Sequence, residues 1–404
     1  MTSSPLLDLP SEVLGLICDH LEHLDVGHLR LTCHEIAAKL FNTFTTLHFR
    51  TFAVNVSPRG LERLDVLESN HSTFANAVQT LSISPVSQKP RLNTSEWRAW
   101  SEFWPQGYWS AVEKEFADND QAVREPFLDA QVLHKLMKTT KRLSAIEIGE
   151  QTSYEDLLYG LPHTAVWPIT LKGPSGRNVN AVSHALYVVI DLLTRERADD
   201  HGLERLQAGV KEGFRRPSDG VNYEVFQHFG LRAGNGLGAV TRLTDLDLSI
   251  ELPLWWPEFT SDSLSQVLKC LPRLKKLRLE LWYSAATKYH CSEMYTHVFN
   301  ECSLPELEKL HLVKGTCKGS VFCEFLKRHR GKLKDLWLSR MVFWETDWRR
   351  DLRPKLEEEL QNLDQLYFHL VDVEQGVLRS SGPEQEWRAD IYGPTSTRIP
   401  LTAF

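Results

Sequence analysis

Apolar and polar positions divide the chain into an N-terminal helical stretch and a C-terminal half that repeats one strand motif. In the helical stretch, apolar residues recur every three or four positions, which is the spacing of one face of an α-helix. Pro10 is typical of a first helical position, and the first helix then continues through Val13, Leu14, Ile17 and Leu21. So short a helical unit cannot bury all of its apolar side chains, which indicates a surface for a partner.

Capping signals predict two further helices in this stretch. Asp25 is a favourable N-cap for the second helix, and Thr32 with Glu35 has the spacing of a capping box for the third. Leu40 and Phe41 continue the apolar face of that third helix. The sequence therefore predicts a three-helix unit within about the first 45 residues.

The C-terminal half repeats the motif Leu-x-x-Leu-x-Leu. Its first positions lie 31, 33, 26 and 30 residues apart. The copies are Leu243-Leu246-Leu248, Leu274-Leu277-Leu279, Leu307-Leu310-Leu312, Leu333-Leu336-Leu338 and Leu363-Leu366-Phe368. Residues with helical spacing separate the copies, so strand, loop and helix alternate at a period of about 30 residues, which indicates a solenoid. The alternative is an ordinary α/β domain with the same elements.

Weaker copies of the motif precede these five. They are Val78-Leu81-Ile83, Leu143-Ile146-Ile148 and Val166-Ile169-Leu171. A helix is predicted over 181–197, because apolar residues there have helical spacing. Residues 198–238 are rich in Gly, Asp and Arg and are predicted to form a long loop or insertion, and the tail 376–404 is predicted to be loosely ordered.

Composition excludes several classes of function. The chain is 42% hydrophobic and 25% charged, as in soluble globular proteins. Its net charge of −7 argues against a nucleic-acid partner, which would favour a basic excess. The chain has no apolar run that could span a bilayer and no signal-peptide pattern at its N-terminus. Seven cysteines without a pairing pattern fit free thiols in a reducing compartment, so we expect the cytosol, the nucleus or both.

No catalytic, cofactor or metal motif emerges from the sequence. The glycine-rich stretch 234–238 lacks the strand before it and the helix after it that a dinucleotide site requires. His290, Cys291, His297 and Cys302 lack the paired spacing of zinc ligands. We therefore expect a non-enzymatic protein without a cofactor or metal, the alternative being an active site within 90–240.

The helical stretch resembles the F-box. The resemblance is carried by Leu9-Pro10-Ser11-Glu12, by Val13, Leu14 and Ile17, by Leu24-Asp25, by Leu29-Arg30-Leu31 and by Cys33. It departs from the family pattern at Thr32, where Val is more usual, and in lacking the tryptophan often found near the end of the domain. The strand motif resembles that of leucine-rich repeats. The Asn or Cys usual at the ninth position of that repeat is missing at all five copies, which carry Glu251, Trp282, Gly315, Met341 and Val371.

These resemblances imply an α/β chain with an N-terminal three-helix F-box over 1–48 and a divergent leucine-rich-repeat-like α/β solenoid over 49–375. They imply a substrate-recognition subunit of a ubiquitin ligase, bound through a Skp-type adaptor to a cullin. The residues expected to bind the adaptor are Leu9, Pro10, Val13, Ile17, Leu24, Leu29 and Leu31. A repeat or F-box scaffold that acts outside any ligase is the alternative.

The strand motif also predicts which residues face a target protein. Its leucines point into the core, so the residue between the last two leucines points to the opposite, concave face. These residues are Asp247, Arg278, His311, Trp337 and Tyr367. Aromatic residues and arginine are the usual anchors of protein interfaces, so we expect this row to bind a protein substrate whose identity the sequence does not reveal.

Overall fold

The structure is a computed structural model that describes part of the chain. The described residues are 5–55, 72–84, 140, 142–149, 171–172, 178–179, 181–195, 202–209, 220–223, 225–226, 242–252, 262–282, 288–344, 354, 363–369 and 372–374. The predicted tail 376–404 and most of the predicted insertion lie outside these residues.

The N-terminal part contains four short helices rather than three. They are α1 (Ser11–Cys18), α2 (His23–Arg30), α3 (His34–Lys39) and α4 (Phe41–Phe49). A small core holds them together, made of Leu14, Cys18, Val26, Ile36 and Leu40. The fourth helix was not predicted, because its apolar residues continue the pattern of α3 without an evident break.

The capping predictions were wrong in detail. Helix α2 begins two residues before Asp25, which therefore lies in the first turn instead of capping it. The N-cap of α3 is Cys33, whose Sγ accepts a hydrogen bond from the Ile36 N–H at 3.5 Å. Thr32 does not form the expected capping box, since its hydroxyl donates to the Leu29 carbonyl at 2.7 Å.

Helix α4 leads directly into the first strand of a large sheet. Phe49, at the end of α4, stacks on Phe74 with ring centroids 4.4 Å apart, and both rings pack with Phe52 against the sheet core. The Arg30 guanidinium of α2 lies 4.2 Å from the centre of the Phe44 ring of α4. The helices and the sheet are thus joined through aromatic contacts.

A parallel sheet of 11 strands dominates the described residues. Nine of its strands pair in chain order: β1 (Thr51–Asn55), β2 (Thr80–Ser84), β3 (Ala145–Ile148), β6 (Arg205–Ala208), β8 (Asp245–Glu251), β9 (Lys276–Trp282), β10 (Lys309–Lys318), β11 (Asp335–Trp344) and β12 (Gln365–His369). The short strands β7 (Val221–Asn222) and β13 (Asp372–Glu374) pair with β8 and β11. All five strong motif copies, and the copies at β2 and β3, are confirmed as strands.

Helices connect these strands and cover one face of the sheet. They are α6 (Ala181–Arg195), α7 (Ser263–Lys269), α8 (Lys288–Glu301) and α9 (Gly319–His329), and the short α5 (Ser72–Ala75) precedes β2. The motif leucines are buried between sheet and helices in one continuous core. The helix predicted over 181–197 is confirmed for Ala181–Arg195, and residues 196–197 lie outside the described residues.

Two sequence predictions failed between β3 and β8. Residues 205–208 were expected in a loop, yet they form β6, because Leu203, Leu206 and Ala208 repeat the buried pattern of the motif with a smaller last residue. Leu171 was expected in a repeat strand of the large sheet. It instead lies in β4 (Leu171–Lys172), which pairs antiparallel with β5 (Asn178–Val179) in a separate sheet, while Val166 and Ile169 lie outside the described residues.

The ninth motif position of β10 shows why a polar residue is absent there. Gly315 has φ +156°, and a Cβ at this position would lie 2.2 Å from Cε2 of the buried Tyr295. The tyrosine ring fills the space beside this backbone, so a side chain at this position would collide with it.

Candidate functional site

The helical part exposes more apolar surface than its small core can cover. Leu31, Leu24 and Leu16 are 84%, 68% and 64% exposed. We call the exposed set the apolar patch; it comprises Val13, Leu16, Ile17, Leu21, Leu24 and Leu31. Several large apolar side chains exposed within one short helical unit are typical of a protein-docking surface.

The structure divides the seven residues predicted to bind an adaptor. Val13, Ile17, Leu24 and Leu31 belong to the apolar patch, and Pro10 is exposed beside it. By contrast, Leu9 and Leu29 pack against the core of the helical part. These two residues hold the helices together in the free chain.

Sequence reasoning missed Leu16 and did not assign Leu21 to the docking surface. Leu16 follows Val13 by three residues and Leu21 follows Ile17 by four. Val13 and Leu16 therefore lie on the same side of α1, so that signal was present in the sequence, whereas Leu21 lies beyond the end of α1 at Cys18. Leu14, one residue from Val13, is fully buried and faces the core.

On the sheet, the register brings all five predicted target-facing residues into one row. Asp247 pairs with Arg278, Arg278 with His311, His311 with Trp337, and Trp337 with Tyr367. Gln207 on β6 extends the row by one strand, and sequence reasoning missed it with that strand. We call this row, with the rows two residues before and after it, the polar face, since it lies opposite the leucine core.

Ion pairs between and along neighbouring strands neutralise much of the polar face. Arg278 binds Asp247 and Glu280, at 2.8 Å each. Glu280 is only 3% exposed and Asp247 14%. Burial opposes the charge on Arg278, yet the attraction and hydrogen bonds of the two carboxylates outweigh it, so the pKa of Arg278 is raised.

The flanking row pairs its charges in the same manner. Lys276 lies 3.5 Å from Asp245, and Lys309 forms an ion pair with Asp335. On β6, Arg205 lies 3.3 Å from Glu147 of β3. The parallel register sets Asp245 beside Lys276 and Asp335 beside Lys309, while the two lysines lie side by side between these carboxylates.

The other end of the row is aromatic and uncharged. The rings of Trp337 and Tyr367 have centroids 3.8 Å apart, and the His311 ring lies 5.7 Å from Trp337. All three side chains are partly buried. Burial lowers the pKa of His311, with a smaller opposing effect from Asp335, so the ring is neutral near pH 7.

Beside the polar face, Trp282 is fixed from two sides. Its Nε1 donates to the Ser249 hydroxyl at 2.9 Å, and the Lys314 ammonium lies 2.9 Å from the ring centre. A cation over a ring face is attracted by the negative potential of the π-system. These two contacts hold the Trp282 ring in place within the sheet, so the ring is already engaged.

The described residues offer neither a metal site nor a membrane-spanning helix. No three His, Cys, Asp or Glu side chains in this part of the chain are placed to hold a metal ion. Nor does any helix found there have the length and apolar character needed to cross a bilayer. Of the four His and Cys residues whose spacing does not suit zinc, His297 pairs with Glu301 at 3.0 Å and Cys302 is buried.

The described residues thus combine two units: a helical unit that carries the apolar patch, and a parallel sheet with an ordered row of side chains. Comparison with known families is in accord with the first of these units, because residues 6–38 match the F-box domain. A comparison with curated proteins found no match to this chain.

Proposed function

We propose that this chain is the substrate-recognition subunit of a Skp–cullin–F-box ubiquitin ligase. The match of residues 6–38 to the F-box domain, together with the apolar patch on those helices, carries the proposal. F-box domains typically bind Skp-type adaptors, which link them to a cullin. The subunit itself is non-catalytic in this proposal, and ubiquitin transfer belongs to other subunits.

The sheet is proposed as a divergent leucine-rich-repeat-like solenoid over 49–375, following an F-box domain over 1–48. Supporting this, neighbouring strands along the chain are neighbours in the sheet, and each strand motif buries its leucines on one side. The polar face then binds the target protein, with Asp247, Arg278, His311, Trp337 and Tyr367 in its central row. In keeping with the free cysteines, the proposed location is the cytosol, the nucleus or both.

Removal of the most exposed leucines tests the adaptor contact. The double variant Leu24→Ala/Leu31→Ala should lose copurification of the Skp-type adaptor while keeping its circular dichroism spectrum. These residues are better than Leu9, which packs on the helical core and would confound binding with folding. Asn42→Ala, an exposed polar position on α4, is the matched control. A folded double variant that retains the adaptor contradicts the proposal.

The target contact is tested on the other surface. Trp337→Ala/Tyr367→Ala should lose target proteins from affinity purifications and keep the adaptor. An unchanged set of partners would refute the assignment of the polar face.

A scaffold that binds an adaptor outside any ligase is the second candidate, because the match to the F-box domain supports binding of an adaptor and does not itself extend to a cullin. Cullin copurification with the wild-type chain separates the two candidates. Presence of the cullin supports the ligase subunit, and an adaptor complex that never contains a cullin supports the scaffold.

A further inference from the structure

The charged side chains of the polar face already form ion pairs with one another within the sheet. Arg278 is bound by two carboxylates, Lys276 by Asp245 and Lys309 by Asp335. These are the three cations that the rows of β9 and β10 offer among the described residues. A phosphate or carboxylate from a partner would have to compete with an existing carboxylate at each of these cations, and so would gain less than it would from a cation without an ion pair.

The aromatic end of the row has the opposite character. His311 is partly buried and neutral near pH 7, and the Trp337 and Tyr367 rings lie in contact beside it. Partly exposed aromatic rings bind apolar side chains through burial of area, and tryptophan and tyrosine are frequent anchors of interfaces. This part of the face suits a ligand without charge.

Resting on the proposed function, we propose that the polar face recognises an uncharged segment of its target, with a proline, aliphatic or aromatic side chain seated on Trp337 and Tyr367. Recognition on this face does not require a phosphate group. The ion-paired part of the face, around Arg278, acts as a rigid and charge-balanced support beside the aromatic anchor.

The choice follows from complementarity of charge. Basic side chains near Arg278 suggest, on the sequence alone, a site for a phosphorylated target. The structure removes that suggestion, since the register sets a carboxylate beside each cation. A charged segment laid along the polar face would meet ions of both signs, whereas an uncharged segment leaves every ion pair intact.

Peptide arrays test the proposal directly. The full chain is incubated with short peptides in four sets: uncharged peptides containing proline, leucine and phenylalanine, the same peptides carrying phosphoserine, acidic peptides and basic peptides. The uncharged set should bind. Raising NaCl from about 0.1 M to about 0.5 M should change Kd by less than about twofold, because screening weakens only charge interactions.

Two variants tie that binding to the rings. Trp337→Ala/Tyr367→Ala should weaken binding of the uncharged peptides by at least about tenfold. Trp337→Phe/Tyr367→Phe keeps two aromatic rings and should stay within about threefold of wild type. Circular dichroism and adaptor copurification establish that each variant is folded.

Preference for phosphorylated, acidic or basic peptides would overturn the proposal, as would an array on which no set binds. Uncharged peptides that bind the Ala variant as well as wild type would overturn it too. Failure of the proposed function is distinct, because the Ala variant would then retain all target proteins in cells. If only this inference fails, the variant loses its target, but phosphatase treatment of the target also abolishes capture by the wild type.

Discussion

Replacing Arg278 with methionine tests whether the ion pairs of the polar face contribute to folding. Methionine keeps much of the length of the arginine stem and removes the guanidinium. Glu280, whose side chain is 3% exposed, then loses its hydrogen bond of 2.8 Å to the guanidinium and the positive charge that offsets its own. Asp247, 14% exposed, loses its bond as well but keeps more contact with water.

The expected loss follows from the burial of these groups. Removing one partner of a buried ion pair costs about 3–5 kcal/mol, because a charge is left without compensation. Arg278 is 19% exposed, so some solvent screening remains, and we expect a loss of about 3 kcal/mol, near the lower end of that range. Lys276→Met is the matched control on the same strand: its side chain is 52% exposed, and such pairs contribute less than about 1 kcal/mol.

Urea denaturation followed by far-ultraviolet circular dichroism measures both variants. The second substitution Glu280→Gln in the Arg278→Met background should recover part of the stability, because it removes the buried negative charge that Arg278 had offset. The reasoning is refuted if Arg278→Met costs no more than Lys276→Met, or if Glu280→Gln brings no recovery.

Three further predictions concern the core, the backbone and pH. Leu14→Ala, at a fully buried site, should cost about 2–5 kcal/mol in urea denaturation, whereas Leu16→Ala, at a site 64% exposed, should stay within about 0.5 kcal/mol; equal losses would contradict the assigned core. Gly209→Ala should destabilise the sheet and lower the melting temperature, because Gly209 has φ +99° and a Cβ there would lie 2.5 Å from Cβ of Ser249; an unchanged melting temperature counts against the strained turn. Burial lowers the pKa of His329 from 6.5, so the unfolded chain binds more protons just below that pH, and the free energy of unfolding should fall as pH drops below about 6.5. His329→Gln should flatten this pH dependence, measured by urea denaturation at several pH values. An unaltered slope in the variant would exclude the histidine as its source.

The strands and their register could be predicted because the motif has a strict period of two around its leucines. Each copy fixes which side chains are buried, and a one-residue slip would expose the leucines. Strand β6 escaped prediction because Ala208 stands where the motif has leucine, and polar residues and glycines surround it. Helix α4 escaped because the apolar spacing of α3 runs on through Phe41, and only the backbone shows the break.

The sequence predicted which residues belong to the candidate site, but not which of them are exposed and which pack on the core. Leu29 and Leu31 are both apolar residues at the end of one short helix, yet the first packs on the core and the second is exposed. That difference depends on how the helices cross, which local spacing does not determine. Likewise, Arg278 could be assigned to the polar face from its motif position, but its ion pairs could not. One carboxylate partner lies on the neighbouring strand and the other lies two residues further along its own strand, and only the folded chain shows that both side chains reach the guanidinium.

Strand order that follows chain order also governs how this protein can change. Strands β2 and β3 pair directly although residues 85–144 separate them in the chain. The entropic cost of closing a loop between two such strands grows only with the logarithm of the loop length, so a longer loop adds little to it. New sequence can therefore enter at one connection while every other strand keeps its neighbours, and a whole strand–helix module can be gained or lost by lengthening or shortening the row at a single step.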